Sequence, residues 1–403
     1  MWIQKKLDIR WNHLIFSLLF PFPSFFLGRD KLLKRISSLW SAKCHSFICL
    51  SVRTGFDLLL SALNFGAGGE IIVVAINIAH MFKIIEDHKL KVVPVDVDIQ
   101  TLQPDIAALK SMINRNTRAV MVTHLFGAKI DIEPVREAIK NQNILLIEDS
   151  SQYLYELNED LRSDIKMNSF GTIKTMTALG GAILSVRDGG LFEELKKRYS
   201  DYASQSEISY KIKVLKTMLL KFISSRPVFK MLNLICTLFK IDIDKMMYQA
   251  TKSFTGSDFY DKIRMRPSKQ LLLMLAKRLA CHSRANIDRH REECLKLNEG
   301  LSRRYLIPGI KAKHHTYWVC PVLSKKLQNK IPYFRSKNFF LSAQHGICLY
   351  GGAAAGELKN SETIINNVVY LPFYPEMPQR EKKRLESLLT DDFLIKQQGA
   401  GSR

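Results

Sequence analysis

The sequence predicts an α/β fold: a mainly parallel sheet flanked by helices, followed by a smaller C-terminal α/β domain. Between Val52 and Val186, apolar runs of strand length alternate with segments of helical periodicity. The runs are nearly continuous, as strands buried on both faces require. The 403 residues suffice for two cores, and a composition 46% hydrophobic and 24% charged is that of a folded protein.

Each element follows from its own residues. Thr54–Phe65 places apolar residues at helical spacing, and Glu70–Ala75 (EIIVVA) reads as a buried strand. Ile78–His88 reads as helix and Lys91–Val95 as strand. Pro104–Ile113 is a helix with proline at its start. Arg118–Thr123 is a strand, Asp131–Lys140 a helix and Asn143–Glu148 a strand. Further β runs cover Asn168–Gly171 and Gly181–Val186. Residues 191–305 read as mostly helical and basic. Tyr317–Val322 and Val368–Leu371 are the strands of the second domain. The expected boundaries are an arm over 1–44, a large domain over 45–285, a small domain over 286–390 and a frayed tail over 391–403.

Net charge is +22, which favours anionic partners. The excess is uneven: residues 1–43 carry eight Lys/Arg against two acids, and residues 196–245 carry eleven against four. Both stretches are also rich in Leu, Phe and Ile. Leu14–Leu27 is apolar but interrupted by Pro21 and Pro23, and falls short of the ~20 residues of a spanning helix. It reads either as an interfacial anchor or as an arm packed on protein. Residues 211–241 leave the same choice between a membrane contact and a basic helical hairpin. No helix-turn-helix, zinc or RNA-binding pattern accompanies the charge, so nucleic acid is not an expected partner. The seven cysteines lack a CxxC pair or a Cys/His spacing suited to zinc; no metal is expected, and scattered thiols suggest a reducing compartment.

Four features carry chemistry. Thr54-Gly55 opens the first helix. Glu148-Asp149 ends a strand, with Gln152 just after. Ser169 follows another strand, and Lys174 comes five residues later, before Gly180-Gly181. In an open α/β sheet, ligands bind outside the carboxyl ends of the strands. Pyridoxal phosphate (PLP) needs such an arrangement: a carboxylate at its pyridine nitrogen, a lysine for covalent attachment and a helix N-terminus for its phosphate. Taken singly, a lysine after a strand is a surface charge and a strand-end aspartate a helix cap.

The motifs TGFDLLLSAL, PVDVDIQTLQPD, VTHLFG, IEDSSQ, SFGTIKTMTALGGA and VVYLPFYPEM resemble those of the DegT–StrS sugar-nucleotide aminotransferases. The resemblance covers roughly residues 50–390 and implies the PLP-dependent transferase fold type I. It implies Lys174 as the cofactor-bearing lysine and proton carrier, Asp149 at the pyridine nitrogen and Gln152 at the phenolic oxygen. It assigns the phosphate to Ser169 and Thr54 with the backbone of Gly55 and Phe56, and makes His124 a structural neighbour. Phe56 stands where the family has threonine, and Ile78 where it has a stacking aromatic, a role for which His80 is the candidate substitute. Leu179-Gly180 replaces Gly-Glu. Lys262 replaces an asparagine that reaches the phosphate from a neighbouring subunit; lysine is a competent phosphate binder.

The implied activity is transfer of an amino group, from glutamate, to a nucleotide-linked keto sugar, by a cytoplasmic homodimer. Relatives that use PLP for dehydration carry histidine at the lysine position, so Lys174 points to transamination. Two rivals remain: a membrane-surface PLP enzyme working on a lipid-linked or envelope precursor, peripheral at the inner face of the membrane, and a non-catalytic binding protein on the same fold.

Overall fold

A computed structural model describes residues 1–19, 28–140, 142–251, 254, 256, 258–343, 346–352 and 357–390. Its centre is a seven-stranded sheet: β1 (His45–Cys49), β2 (Glu70–Val74), β3 (Lys91–Val95), β4 (Thr117–Thr123), β5 (Leu145–Asp149), β6 (Ile165–Ser169) and β7 (Ala182–Val186). The spatial order is β1-β7-β6-β5-β4-β2-β3. The pairs from β3 through β6 are parallel, whereas β7 runs antiparallel to both β6 and β1. Strand β1 escaped the periodicity reading. It is a short mixed segment (HSFIC) that joins the sheet by pairing with β7, a partner more than a hundred residues away.

Alternation along each strand divides the core. Ile71 and Val73 of β2 pack on one face of the sheet with Phe56 and Leu59; Ile72 and Val74 pack on the other with Val135. All four β2 side chains are buried. Burial of each such aliphatic group contributes about 1.5–3 kcal/mol, and the buried polar residues of the sheet, such as Glu148 and Lys166, are held by hydrogen bonds or ion pairs.

Among the described residues the α-helices up to residue 301 are, in chain order, α1 (Trp11–Leu19), α2 (Arg29–Trp40), α3 (Val52–Leu63), α4 (Ala79–Asp87), α5 (Ile106–Met112), α6 (Ile132–Ala138), α7 (Gly189–Ser200), α8 (Glu207–Ile223), α9 (Arg226–Leu238), α10 (Ile243–Thr251), α11 (Phe259–Ile263), α12 (Lys269–Ala280) and α13 (Arg284–Leu301). Towards the C-terminus, β8 (Cys320–Leu323) and β9 (Val368–Leu371) form an antiparallel pair covered by α13.

The N-terminal arm packs on its own chain. Leu14 of α1 and Leu32 and Ile36 of α2 share a core with Leu272 and Leu275 of α12. Ahead of them, Trp2 exchanges backbone hydrogen bonds with the small domain, donating to Asn338 at 2.8 Å and accepting from Phe340 at 2.7 Å. The rest of the apolar stretch, with Pro21 and Pro23, lies outside the described residues, as does the expected tail over 391–403. Among the described residues no helix is long and apolar enough to cross a membrane.

Candidate active site

The carboxyl ends of β4, β5 and β6 lie side by side, so the chain places Thr123, Asp149 and Ser169 on one edge of the sheet. Asp149 is buried. Its Oδ1 accepts from the Ser151 amide at 3.0 Å and its Oδ2 from Asn77 Nδ2 at 3.4 Å, and Asn77 also donates to Thr123 Oγ1 at 3.0 Å. Gln152 follows in the same turn. Its Oε1 accepts from the Phe126 amide at 2.8 Å, which fixes the side chain and leaves Nε2 as the donor.

Beyond β6 the chain loops through residues 170–181 before re-entering the sheet as β7. Phe170 carbonyl accepts from the Ala178 and Gly180 amides, both at 3.0 Å, and closes the loop. Lys174 sits at its bend. The side chain keeps some solvent contact yet lies deep among protein atoms, with Nζ 4.5 Å from the Trp318 ring centre. Burial lowers this ammonium to about 8; the Asp149 carboxylate opposes the shift and the Arg53 charge adds to it. Lys174 therefore lies within electrostatic reach of the Asp149 carboxylate.

Helix α3 begins earlier than its sequence suggests. Ser51 is the N-cap, with Oγ accepting from the Thr54 amide at 3.1 Å, and the first helical hydrogen bond runs from Gly55 N to Ser51 O at 3.0 Å. The first-turn amides of Val52 and Arg53 therefore form the anion-facing end. This corrects the placement of the phosphate on Gly55 and Phe56. The Gly55 amide is bonded within the helix, a Cβ there would strike Leu184 at 2.5 Å, and Phe56 lies fully buried in the core beneath the sheet. Thr54 is also committed: its hydroxyl donates to Ile263 O at 2.7 Å and lies 2.9 Å from Ser51 Oγ. Its role is to hold α11 against α3.

Two cations that the sequence reading missed join this helix end. Gly180 lies so close to Lys213 that a Cβ there would be 3.8 Å from Nζ. Burial lowers the Lys213 ammonium to about 8, and Arg53 contributes to that shift as it does for Lys174. Arg53, Lys174 and Lys213 thus form one electropositive cluster beside the α3 N-terminus. Lys213 comes from the basic helix α8, forty residues beyond the motif, so no local pattern pointed to it.

The remaining sequence-based residues lie as follows. Ser169 is half-buried, its hydroxyl 3.4 Å from the Gly171 amide. Lys262 is ion-paired with Asp258 at 2.7 Å on α11. Ile78 is the N-cap of α4, and its amide donates to Asn77 Oδ1 at 2.7 Å. His80 stacks on Phe259 at 4.5 Å with the rings 3° from parallel, so its ring is engaged within the protein, away from the role suggested for it. His124 is buried and structural in its contacts: Nδ1 accepts from the Ile130 amide, so Nε2 carries the proton and donates to Glu148 at 2.9 Å. Burial opposes ionisation of Glu148, yet the His124 hydrogen bond and the Lys166 charge bring it down to about 2.

The N-terminal arm reaches the same site. Lys5 donates to Trp318 O at 2.7 Å, and its Nζ lies 3.8 Å from the indole centre. Trp318 Nε1 in turn donates to Ile173 O at 3.1 Å. Asp8 accepts from the Met176 amide, and Arg278 joins the arm to the loop by donating to Asp8 O at 2.7 Å and Thr177 O at 3.1 Å. Met176 has a positive φ of 56°, a conformation the Asp8 contact helps to hold.

In the small domain, His290, Cys294 and Cys320 bring their donor atoms within 4.8 Å of one another. Cys294 Sγ is 3.7 and 3.6 Å from the two His290 ring nitrogens, so it sits beside the ring and not along one lone pair. The sequence reading missed this convergence, since a His and Cys one helical turn apart meet a distant strand.

A strand-end carboxylate, a half-buried lysine with a lowered pKa and a helix N-terminus flanked by cations, on a mainly parallel sheet, fit an α/β fold of the PLP-dependent transferase type. Residues 40–213, which hold all of these groups, match the DegT/DnrJ/EryC1/StrS aminotransferase family model. GDP-perosamine synthase of Caulobacter vibrioides is 29% identical over 147 residues, 36% of this chain and 38% of that protein. UDP-4-amino-4-deoxy-L-arabinose–oxoglutarate aminotransferase of Shewanella sediminis is 26% identical over 156 residues, 38% of this chain. The aligned segments span only 38% and 40% of these two curated relatives. Over the whole fold, a DegT DnrJ EryC1 StrS aminotransferase from Brucella abortus superposes with a TM-score of 0.67 at 14% identity, covering 94% of each chain.

Proposed function

We propose that the chain is a PLP-dependent aminotransferase that transfers an amino group, from glutamate, to a nucleotide-linked keto sugar. The observation that carries the proposal is the convergence of Lys174 and Asp149 on one edge of the sheet, near enough for the carboxylate to shift the amine. The donor set fits the cofactor: a primary amine near 8, a buried carboxylate, an amide donor on Gln152, and the α3 N-terminus with Arg53 and Lys213 for a phosphate.

Bound PLP supplies an aldehyde for the amine and a cationic ring that accepts electron density. Asp149 keeps the ring nitrogen protonated, and its own hydrogen bonds from Asn77 and Ser151 hold it in place. Gln152 donates to the phenolic oxygen. The amides of Val52 and Arg53, the side chains of Arg53 and Lys213, and the Ser169 hydroxyl bind the phosphate. With PLP bound, the Lys174 amine would carry a proton to and from the substrate carbon. An amine near 8 suits that task because both its forms are populated close to neutral pH. Trp318 and Lys5 cover Lys174 and restrict water. The assembly is a homodimer, in which Lys262 contributes to the neighbouring site.

The test is one spectrum and one substrate panel. Purified protein should bind PLP with a visible band that Lys174→Ala abolishes, and should aminate members of a set of nucleotide-linked keto sugars. Asp149→Asn should retain binding and lower turnover by about two orders of magnitude. Retention of the band and activity by Lys174→Ala would overturn the proposal.

A further inference from the structure

Helices α1, α8 and α9 form a layer whose outer surface is apolar. On α8, Ile208, Ile212, Leu215, Leu219 and Phe222 step by four and three residues and are 47–69% exposed, while Tyr210, Val214 and Thr217 on the opposite side are buried. On α9, Met231, Leu234, Ile235 and Leu238 follow the same spacing and are 40–69% exposed, with Phe229 and Cys236 buried behind them. On α1, Trp11, Ile15 and Leu19 lie one turn apart and are 42–66% exposed. Helix α8 packs against both α1 and α9, so the three stripes adjoin. An amphipathic helix normally turns such a stripe inward; here each helix buries a second, smaller face and leaves the larger apolar one outside.

The charge around this layer identifies what covers it. From Glu207 to Lys245 there are eight Lys/Arg and three acids. Two of those acids are occupied within the fold: Glu207 accepts from the Lys269 amide, and Asp244 is paired with Arg335. Lys216, Lys230 and Lys240 are exposed among the apolar residues, and Lys221 lies 5.8 Å from the Trp11 ring. A second copy of the chain would bring the same cationic surface against itself, and like charges facing each other oppose association. An anionic lipid surface complements both properties at once: acyl chains accept the stripes, and headgroups accept the lysines.

We infer that α1, α8 and α9 form a docking surface for an anionic membrane, on which these helices lie. The lengths agree, since α8 has 17 residues and α9 has 13. The active-site lysine loop is tied to this layer through Asp8 at the start of the arm and through Lys213 of α8. Docking therefore presents the candidate active site close to the lipid surface.

Full-length protein is mixed with phosphatidylcholine vesicles with or without phosphatidylglycerol and floated on a density gradient. Protein should float with the anionic vesicles alone, and added salt should release it. The emission of Trp11 should shift to the blue on binding, a shift that Trp11→Phe removes. The triple variant Leu219→Glu, Phe222→Glu, Leu234→Glu replaces exposed residues only and should stay in the bottom fraction with unchanged circular dichroism. Each of Lys216→Ala and Lys230→Ala should weaken binding by about fivefold. Failure of the wild-type chain to float at low salt would overturn the inference. So would a triple variant that converts a dimer to a monomer in light scattering, because a second copy would then be the occupant. The PLP band of the same preparations reports the site separately from the membrane contact.

Discussion

Lys5 and Lys174 both reach the indole of Trp318, at 3.8 and 4.5 Å from its centre, although one belongs to the N-terminal arm and the other to the loop after β6. The contact makes the arm part of the site. Burial and the Lys174 charge hold the Lys5 ammonium well below the usual lysine range, so Lys5 gives up its proton more readily than a surface lysine. Residues 1–19 pack as an arm on their own chain.

The arm's hold on the loop is testable through Asp8. Its carboxylate accepts from the Met176 amide and from Arg278, which is itself buried. Asp8→Ala leaves the Met176 amide and part of the Arg278 charge uncompensated. Because Asp8 is half exposed, the expected loss of stability is modest, about 1–2 kcal/mol. Thermal unfolding measures that loss. Slower PLP uptake by the folded variant would accompany it, since the Lys174 loop is freed.

The amine of Lys174 sets a pH dependence. Only a neutral amine could react with the aldehyde that PLP would supply, and burial lowers Lys174 to about 8 from the usual 10.5. The rate of PLP uptake by apoprotein should therefore rise with pH, by about fivefold between pH 7 and 8, and level off above 9. Stopped-flow absorbance at several pH values gives the midpoint. A midpoint near that of free lysine would show that the pocket does not desolvate Lys174.

Asp57 supplies a stability prediction. It is buried on α3, accepts from Arg264 Nε and Nη2 at 2.9 and 3.0 Å, and lies 3.0 Å from His88 Nε2. Burial alone would raise its pKa, but the His88 and Arg264 hydrogen bonds outweigh that and lower it below 3.8. A carboxylate depressed in the fold stabilises above its unfolded value, and the contribution disappears as pH falls through the folded one. Asp57→Ala should cost about 2–3 kcal/mol at neutral pH, at the lower end for a buried pair because Arg264 is nearly half exposed. Urea midpoints of wild type and variant should converge below pH 3.8.

Strands β2, β4, β5 and β7 were legible because their apolar runs are local and buried on both faces. Strand β6 was expected over Asn168–Gly171 but runs over Ile165–Ser169, because IKMNS holds only two apolar residues and carries no strong run. The placement of Asp149, Gln152, Ser169 and Lys174 at the carboxyl edge of the sheet was legible because each ends or follows a strand. The start of α3 was not. TGFD resembles a helix opening, but Ser51 three residues earlier supplies the cap, and a shift of one turn moves the anion-facing amides from residues 55–56 to 52–53. Trp318, Lys5 and Lys213 were illegible for another reason. Each reaches the site from an element far along the chain, and spacing in sequence carries no record of such packing.

That shift of one turn yields the sharpest test of the phosphate site. With Val52 and Arg53 at the helix end and Lys213 beside Gly180, the phosphate charge is assigned, under the proposed function, to Arg53 and Lys213 and not to Thr54, whose hydroxyl is bonded to Ile263 O. A hydrogen bond from a charged donor contributes about 1.5–3 kcal/mol, so Arg53→Ala and Lys213→Ala should each weaken PLP affinity by about tenfold to a hundredfold. The visible band at saturation should persist, because Lys174 and Asp149 are untouched. Inorganic phosphate should compete with PLP for wild type and do so less well for either variant. Thr54→Val should instead leave affinity nearly unchanged and lower the melting temperature, because it breaks the link between α3 and α11. If Thr54→Val weakened PLP binding more than Lys213→Ala did, the phosphate would belong one turn deeper in the helix, where the sequence motif first suggested it.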